Sequence, residues 1–308
     1  MALLDIIVGY DCNLFCDYCT ITEEMRRRAL EPERIAAALA KGRVDGYDRV
    51  SFTGGEPTIR ADLLPLLRRA RDLGYADIKL QSNGLLLSTK GNADRLVEAG
   101  VTRLHISIHT HERESYERLV RREGTYDAMV AALEAFATRD DIVLVADVIM
   151  KEDTYRRLPD ALRWLHARGV QRADLWFVSL TDNNASNVDS MPRMTDVVPV
   201  MHEALAWARA HAMTVRSLHV PRCLLQHDHP HAFDPAAEGV RVVTPDATFE
   251  LTHSKLTGQE HVPACEGCEF RERCPGLRRD YLDRYGDSEV AKARGRPLSL
   301  RPRSLPLL

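Results

Sequence analysis

The chain has 308 residues, of which 44% are hydrophobic, and a formal net charge of -3. This balance provides no basic surface for nucleic acid, and no apolar stretch approaches the roughly 20 residues of a membrane span. We therefore expect a cytoplasmic protein without a nucleic-acid or membrane partner, large enough for one main core and a smaller one.

Strand-like apolar runs alternate with segments of helical period along the first two thirds of the chain. Strands are predicted at Leu3–Tyr10, Asp48–Phe52, Asp77–Gln81, Val101–Ile108, Ile142–Met150 and Ala173–Leu180. Helices are predicted at Glu31–Lys41, Ala61–Leu73, Ala93–Ala99, Tyr126–Thr138 and Thr154–Arg168. Six such units predict an α/β fold with a parallel sheet, whose carboxyl edge is the place where ligands gather.

Three cysteines follow the first predicted strand in the sequence CNLFCDYC. Cys12, Cys16 and Cys19 are spaced so that three thiolates on one loop converge on one inorganic centre. Three ligands are one fewer than a closed tetrahedral site needs, so this spacing predicts a centre with an open coordination position. A disulfide framework is disfavoured because the chain is long and has an odd number of cysteines. Zinc held by these cysteines and a histidine is the other alternative.

A second motif, TGGEP, follows the second predicted strand. Its glycines, Gly54 and Gly55, let backbone groups approach a ligand closely, and Glu56 can accept a hydrogen bond from an ammonium group. The CxxxCxxC loop and this motif together resemble the radical S-adenosylmethionine (SAM) superfamily. The resemblance implies a partial (β/α)6 barrel, with a [4Fe-4S] cluster on the three cysteines and SAM chelating the open iron.

The same resemblance implies a set of SAM contacts at the carboxyl ends of the strands. In that family an aromatic residue precedes the third cysteine, GGEP binds the SAM amino group, and later strands contribute a serine and an arginine. The residues at the matching positions are Tyr18, Gly54, Gly55, Glu56, Pro57, Ser107, and Arg121 or Arg122. Polar residues at the ends of the third and fifth strands add Ser82, Asn83 and Asp147. The strand histidines His105 and His109 share the period of Ser107 and are interpreted as hydrogen-bonded barrel residues.

Four further cysteines lie near the C-terminus. Cys223 is followed by CEGCEFRERC, which contains Cys265, Cys268 and Cys274. Four cysteines can enclose one [4Fe-4S] cluster or one zinc ion. A hairpin is predicted between Cys223 and Cys265, at Val240–Val243 and Thr248–Leu251. The layout is similar to the twitch-type auxiliary-cluster domains of radical SAM enzymes.

The predicted domains are a barrel over residues 1–214, an auxiliary-cluster domain over 215–288 and a flexible tail over 289–308. Two polar segments have no assigned role. His227, His229 and His231 are expected to be solvated or near the substrate, because four cysteines already suffice as cluster ligands. The polar run at 182–187 is either a solvated loop or a loop that faces the substrate.

These features predict a radical SAM oxidoreductase. It would take one electron from an external donor such as flavodoxin or ferredoxin, cleave SAM to a 5′-deoxyadenosyl radical and abstract hydrogen from a substrate carbon. Only eleven residues precede Cys12, which favours net oxidation of a small polar metabolite over crosslinking or epimerisation of a ribosomal peptide. A non-catalytic iron–sulfur redox or carrier protein is the alternative of another class, although it would not need GGEP.

Overall fold

The structure is a computed structural model that describes residues 2–234, 239–251 and 259–294. The strands of its main sheet are β1 Leu3–Ile7, β2 Arg49–Thr53, β3 Asp77–Ser82, β4 Arg103–Ser107, β5 Val143–Met150, β6 Arg172–Phe177, β7 Thr214–Leu218, β8 Val240–Val243 and β9 Thr248–Glu250. The helices are α1 Pro32–Val44, α2 Leu63–Asp72, α3 Asn92–Glu98, α4 Arg113–Val120, α5 Tyr126–Ala137, α6 Leu158–His166, α7 Met194–Ala210 and α8 Arg222–Leu225. Two further helices, Arg279–Tyr285 and Ser288–Arg294, end the described chain.

The first seven strands are parallel and lie side by side in chain order, from β1 to β7. Crossovers between parallel strands are right-handed as a rule, so this strand order places the helices on one face of the sheet. This arrangement confirms the predicted α/β class with a parallel sheet. None of the helices in the described part of the chain combines the length and apolar character that crossing a membrane requires.

The two faces of the sheet differ in chemistry. The face toward the helices carries apolar residues such as Ile6 and Phe52, both fully buried. The opposite face carries His105, Asp147 and Asp174, yet each of these is at most 4% exposed. Polar side chains on the face without helices are buried this deeply only if the sheet curls around them. The sheet is therefore a partial barrel with a polar interior, open between β7 and β9.

The predicted boundary after residue 214 does not divide the sheet. β7 begins at Thr214 and pairs with β6, and β8 pairs in parallel with β1 at the other side. The predicted hairpin exists as β8 and β9, but it extends the main sheet instead of forming a separate layer. β7 is absent from the predictions because TVRSL is short and half polar, so it does not stand out from the helix before it.

The predicted flexible tail begins too early. Ser288–Arg294 is a helix, and its Glu289 and Val290 are buried. Glu289 accepts hydrogen bonds from Thr195 Oγ1, at 2.8 Å, and from the Tyr281 hydroxyl. These contacts fix residues 289–294 against α7. The rest of the predicted tail, 295–308, lies outside the described residues.

Candidate functional site

The loop of Cys12, Cys16 and Cys19 leaves β1 at the carboxyl edge of the sheet. The backbone N–H groups of Phe15 and Asp17 donate to the carbonyls of the last two residues of α4, at 3.2 and 2.8 Å. A helix C-terminus has carbonyls without partners in the helix, so α4 provides acceptors that hold the loop. Helix α4, which the sequence patterns did not predict, therefore has a direct role at the site.

Arg26 fixes the loop from the other side. Its guanidinium donates to the backbone carbonyls of Cys12 and Leu14, at 2.8 and 2.7 Å. Burial raises the pKa of Cys12 to about 11, and burial raises that of Cys16 further. Buried thiolates are stable only beside a positive centre, so these sulfurs suit metal ligation, which replaces the protons.

Gly54 and Gly55 dock directly against the start of the cysteine loop. The Gly55 N–H donates to Gly9 O at 2.9 Å, and the Glu56 N–H donates to Asp11 O at 2.8 Å. A Cβ atom at Gly54, where φ is +129°, would lie 2.2 Å from Gly9 O. A Cβ at Gly55 would lie 2.0 Å from Asp11 O. Only glycine fits at these two positions, because the two loops share backbone hydrogen bonds at contact distance.

Glu56 is 2% exposed and lies at the centre of a hydrogen-bond network. Its Oε1 accepts from Thr58 N at 3.0 Å, Thr58 Oγ1 at 2.5 Å and Ser82 Oγ at 2.8 Å. Its Oε2 accepts from Asn83 N at 2.6 Å. Burial raises the pKa of Glu56, and these hydrogen bonds oppose the rise. Since a carboxylate oxygen has two lone pairs, Oε2 retains the capacity to accept from one more donor.

Asn83 connects this network to the cysteines. Its Nδ2 donates to Asn13 Oδ1 at 2.7 Å and lies 4.0 Å from Cys12 Sγ. Pro57 is buried at the start of a turn that follows Glu56. The structure thus brings together the TGGEP segment, the segment Gln81–Asn83 and Cys12. Their positions at the ends of parallel strands predict this proximity.

Tyr18 is held by a histidine that lies beyond β4. The Tyr18 hydroxyl is 2.9 Å from His109 Nδ1, and His109 stacks on Tyr116 with ring centroids 6.2 Å apart. Burial lowers the pKa of His109 to about 3, so the ring is neutral. The predicted strand alternation of His105, Ser107 and His109 is wrong at its last member, because β4 ends at Ser107 and His109 has a φ of 57°.

The two arginine candidates differ in their surroundings. Arg122 Nη1 donates to the carbonyl of Asn13 at 2.8 Å, so this side chain reaches the cysteine loop. Arg121 is exposed, with a φ of 54°, and among the described residues its side chain makes no hydrogen bond or ion pair. Of the two, Arg122 is therefore the one positioned beside the cysteines.

Asp147 lies on the inner face of the sheet and is paired in register with Ser107, which is half-buried. Its Oδ1 is 3.0 Å from His105 Nδ1, which agrees with the interpretation of His105 as a hydrogen-bonded barrel residue. Burial lowers the pKa of His105. The second oxygen of Asp147 is buried without a hydrogen-bond partner among the described residues. It is free to accept from a bound molecule.

The polar run after β6 supports the cysteine loop, a role that the sequence did not suggest. Asn183 donates through Nδ2 to Cys19 O at 3.0 Å and through its backbone to Thr20 O at 3.1 Å. Asn187 Nδ2 donates to Asp17 O at 3.2 Å. Neither of the two predicted roles, solvated or substrate-facing, accounts for these contacts. The amides satisfy backbone carbonyls of a loop that has no regular structure of its own.

Lys151 and Asp17 form an ion pair that also escaped prediction. Lys151 Nζ lies 2.7 Å from Asp17 Oδ2, although 134 positions separate the two residues. No local pattern marks such a pair, because each residue alone resembles an ordinary charged loop residue.

The four C-terminal cysteines line one pocket, although Cys223 comes from α8 and the others from the segment around Cys268. Burial raises the pKa of Cys223 to about 12, and the other three thiols add to this shift. His261 Nε2 is 2.7 Å from the carbonyl of Cys274 and so fixes the end of the segment. All four cysteines thus line one pocket, and their role as cluster ligands stays a prediction.

The three histidines of the segment 227–231, His227, His229 and His231, contact different neighbours. His227 stacks on His202 at 4.5 Å, and His229 packs on Phe270 at 4.8 Å. His231 Nδ1 lies 2.8 Å from Val215 O. Among the described residues these three histidines do not share one group of candidate metal ligands. His229 contacts Phe270, which lines the four-cysteine pocket.

A family model described as the Radical SAM superfamily matches residues 6–175. This chain belongs to the radical SAM superfamily. The match includes the three-cysteine loop, TGGEP and Asp147, and the family's cofactors are a [4Fe-4S] cluster and SAM. The observed loop fits that cluster, since Cys12 and Cys19 lie near enough to Cys16 to add to the rise in the pKa of its thiol, and the loop carries no fourth cysteine.

Solved structures show the same fold. The anSMEcpe protein with bound AdoMet and Cp18Cys peptide superposes with a TM-score of 0.70 at 15% identity, covering 96% of this chain and 95% of that one. SuiB from Streptococcus suis, bound to S-adenosylmethionine, gives a TM-score of 0.67 at 14% identity, covering 93% of this chain and 75% of that one. At these identities the likeness concerns the fold alone.

Curated relatives have a higher sequence identity to this chain than the solved structures do, but the matches cover a shorter part of the chain. The probable GTP 3′,8-cyclase of Saccharolobus solfataricus is 34% identical over 143 residues, which are 46% of this chain and 44% of that protein. The probable GTP 3′,8-cyclase of Methanopyrus kandleri is 32% identical over 158 residues, which are 50% of this chain and 49% of that protein. The matches span about half the length of these relatives.

Proposed function

We propose that this protein is a two-cluster radical SAM oxidoreductase that abstracts hydrogen from a carbon of a polar substrate and completes a net oxidation. The observation that carries the proposal is the convergence of Cys223 with three cysteines more than 40 positions later on one pocket. Four cysteine ligands would hold a complete cluster without a free thiol, which suits electron transfer. An epimerase that quenches its substrate radical with a cysteine hydrogen would need an unligated thiol.

The N-terminal residues have distinct roles in this proposal. When bound, the cluster on Cys12, Cys16 and Cys19 supplies the electron that cleaves SAM to methionine and the 5′-deoxyadenosyl radical. Glu56 orients the SAM amino group through its remaining lone pair, while Ser82 and Asn83 hold Glu56 in place. The enclosed inner face excludes water from the radical.

The inner face also indicates a polar substrate. Asp147 Oδ2, Trp176 Nε1 and His219 Nδ1 are buried polar atoms without hydrogen-bond partners among the described residues. Trp176 shares the face of Asp147, and its ring centroid lies 5.6 Å from that of His219 just after β7. A buried donor or acceptor without a hydrogen-bond partner destabilises the folded protein by about 1–3 kcal/mol. A ligand whose polar groups form these missing hydrogen bonds would therefore bind favourably. They offer one donor and two acceptors to a hydroxyl- or amide-bearing substrate.

His219 relates this surface to the second cysteine group. It lies four positions before Cys223, so the segment after β7 leads from the barrel interior to the four-cysteine pocket. When bound, the second cluster would supply a one-electron acceptor for a substrate beside Trp176 and His219.

A second candidate is a GTP 3′,8-cyclase-like reaction, which the sequence similarity to the curated relatives favours. Under this candidate GTP is the substrate. Half-length coverage leaves this as an alternative to the oxidation of another polar metabolite.

The activity is tested by incubating anaerobically reconstituted, reduced protein with SAM. We expect 5′-deoxyadenosine to form, and its absence from protein with full iron content would favour an iron–sulfur carrier. GTP is then added, with ATP as the matched control. A GTP-specific increase in 5′-deoxyadenosine supports the cyclase-like candidate, whereas equal yields with both nucleotides leave the oxidation of another metabolite as the better proposal.

A further inference from the structure

Lys151 is a buried cation beside the three-cysteine loop. It directly follows β5 and is 4% exposed. Its Nζ lies 2.7 Å from Asp17 Oδ2 and 3.0 Å from Asp153 Oδ1. Asp17 stands between Cys16 and Tyr18, so this contact reaches the centre of the CxxxCxxC segment.

Both partners are fixed by backbone contacts. The Lys151 N–H donates to Thr154 Oγ1 at 3.0 Å, and Thr154 Oγ1 donates to Ile149 O at 2.7 Å. Asp17 donates from its backbone to the end of α4, and its carbonyl accepts from Asn187 at 3.2 Å. The ammonium group therefore cannot move far from the cysteine loop as the charge on that loop changes.

Stability alone does not explain a buried lysine of this kind. Lys151 is buried, whereas the side chain of Asp17 is 23% exposed. The desolvation of a buried charge often offsets its attraction to a partner, and an apolar residue of similar size commonly gives the same stability. A fixed cation has another effect in a poorly solvated site, because it favours whichever state of its surroundings is more negative. A cluster that accepts an electron becomes more negative by one charge, and nearby charge and solvent exposure adjust its potential.

We propose that Lys151 is a positioning residue that anchors the three-cysteine loop through Asp17 and raises the reduction potential of the cluster held there. Its role is in the reductive step that precedes SAM cleavage. The inference rests on the family's cluster and is independent of the substrate or of the second cluster.

The test is an anaerobic redox titration of the holoenzyme followed by electron paramagnetic resonance. The N-terminal cluster is identified as the signal that changes when SAM is added. Lys151→Met should lower the ratio of reduced to oxidised cluster about tenfold at a fixed potential, which corresponds to about 59 mV for one electron. Asp17→Asn should shift the ratio in the opposite direction. The double variant should return toward the wild type, because it contains neither charge.

Lys151→Arg is the matched control, since it keeps the charge and should keep the potential. Iron content is measured for every variant. If Lys151→Met fails to retain iron, the Asp17→Asn and double variants still report the sign of the effect. Equal potentials in all iron-loaded variants would overturn the proposal. Shifts of the same sign in both single variants would also overturn it, because they would indicate a distorted loop.

Discussion

At the scale of single residues, Glu56 combines two tasks. Its four hydrogen bonds from Thr58, Ser82 and Asn83 join the ends of β2 and β3, and the remaining lone pair on Oε2 is available to SAM. Such a side chain cannot be truncated without leaving buried donors unpaired. A variant of the same shape is therefore the better probe of its charge.

Glu56→Gln should weaken SAM binding by about 1.5–3 kcal/mol, the range for a hydrogen bond to a charged group. The change is measured by anaerobic calorimetry with SAM, and iron content should remain close to that of the wild type. Thr58→Val is the matched control, since it removes one hydrogen bond to Glu56 but keeps the carboxylate. If Glu56→Gln binds SAM as tightly as Thr58→Val, the TGGEP segment acts only as a turn.

The residues that the sequence identified are those whose chemistry is local. Cys12, Cys16 and Cys19 occupy one loop, and Glu56 directly follows two glycines, so spacing along the chain corresponds to spacing in the structure. Lys151 and Asn183 contact the same loop, but they lie 134 and 164 positions from their partners in the sequence, so only the arrangement of the sheet brings them there. Their identities as a charged and a polar loop residue give no signal, because the sequence does not specify which loops come together.

At the scale of elements, the TGGEP turn and the cysteine loop form one unit. The unit depends on backbone contacts at Gly55 that leave no room for a side chain, since a Cβ there would lie 2.0 Å from Asp11 O and 2.5 Å from Tyr10 O. These contacts are with backbone atoms, so the neighbours cannot relax by changing rotamers.

Gly55→Ala should therefore displace the cysteine loop and destabilise the protein by about 1–3 kcal/mol, the usual cost of overpacking. The expected result is a lower iron content and a lower midpoint of chemical unfolding. Gly74→Ala is the control, because its Cβ would meet nothing within 4 Å although φ is +82°. An iron content equal to that of Gly74→Ala would show that the two loops are not tightly docked.

Apart from α4, element order was predictable to the end of β6 because strands and helices there have clear periods of two and 3.6 residues. β7 was not predictable, because TVRSL exposes Thr214 and carries Arg216 on the inner face of the sheet. The place of the β8–β9 hairpin was not predictable either. Pairing with β1 is a contact between distant parts of the chain, and no local pattern specifies which sheet edge a hairpin joins.

At the scale of the whole molecule, Cys223 connects the barrel to the C-terminal pocket. It lies in a four-residue helix soon after β7, while the other three cysteines lie 42 to 51 positions further along the chain. If all four are ligands, the second cluster also holds the C-terminal segment against the end of the sheet.

Cys223→Ala should lose or destabilise the second cluster while SAM cleavage at the first persists. Iron content and 5′-deoxyadenosine yield are measured on the same reconstituted sample. A variant that keeps both clusters by Mössbauer spectroscopy but fails to complete turnover would identify Cys223 as a hydrogen donor. That outcome would replace net oxidation by a redox-neutral epimerisation.

The central claim is that the two cysteine groups hold two separate [4Fe-4S] clusters. It is tested most directly by iron and zinc analysis, with Mössbauer spectroscopy, of the anaerobically reconstituted wild type and of the variant in which Cys12, Cys16 and Cys19 are all alanine. We predict about eight irons per chain in the wild type and about four in the variant, which should not cleave SAM. About four irons with one zinc in the wild type would contradict the account.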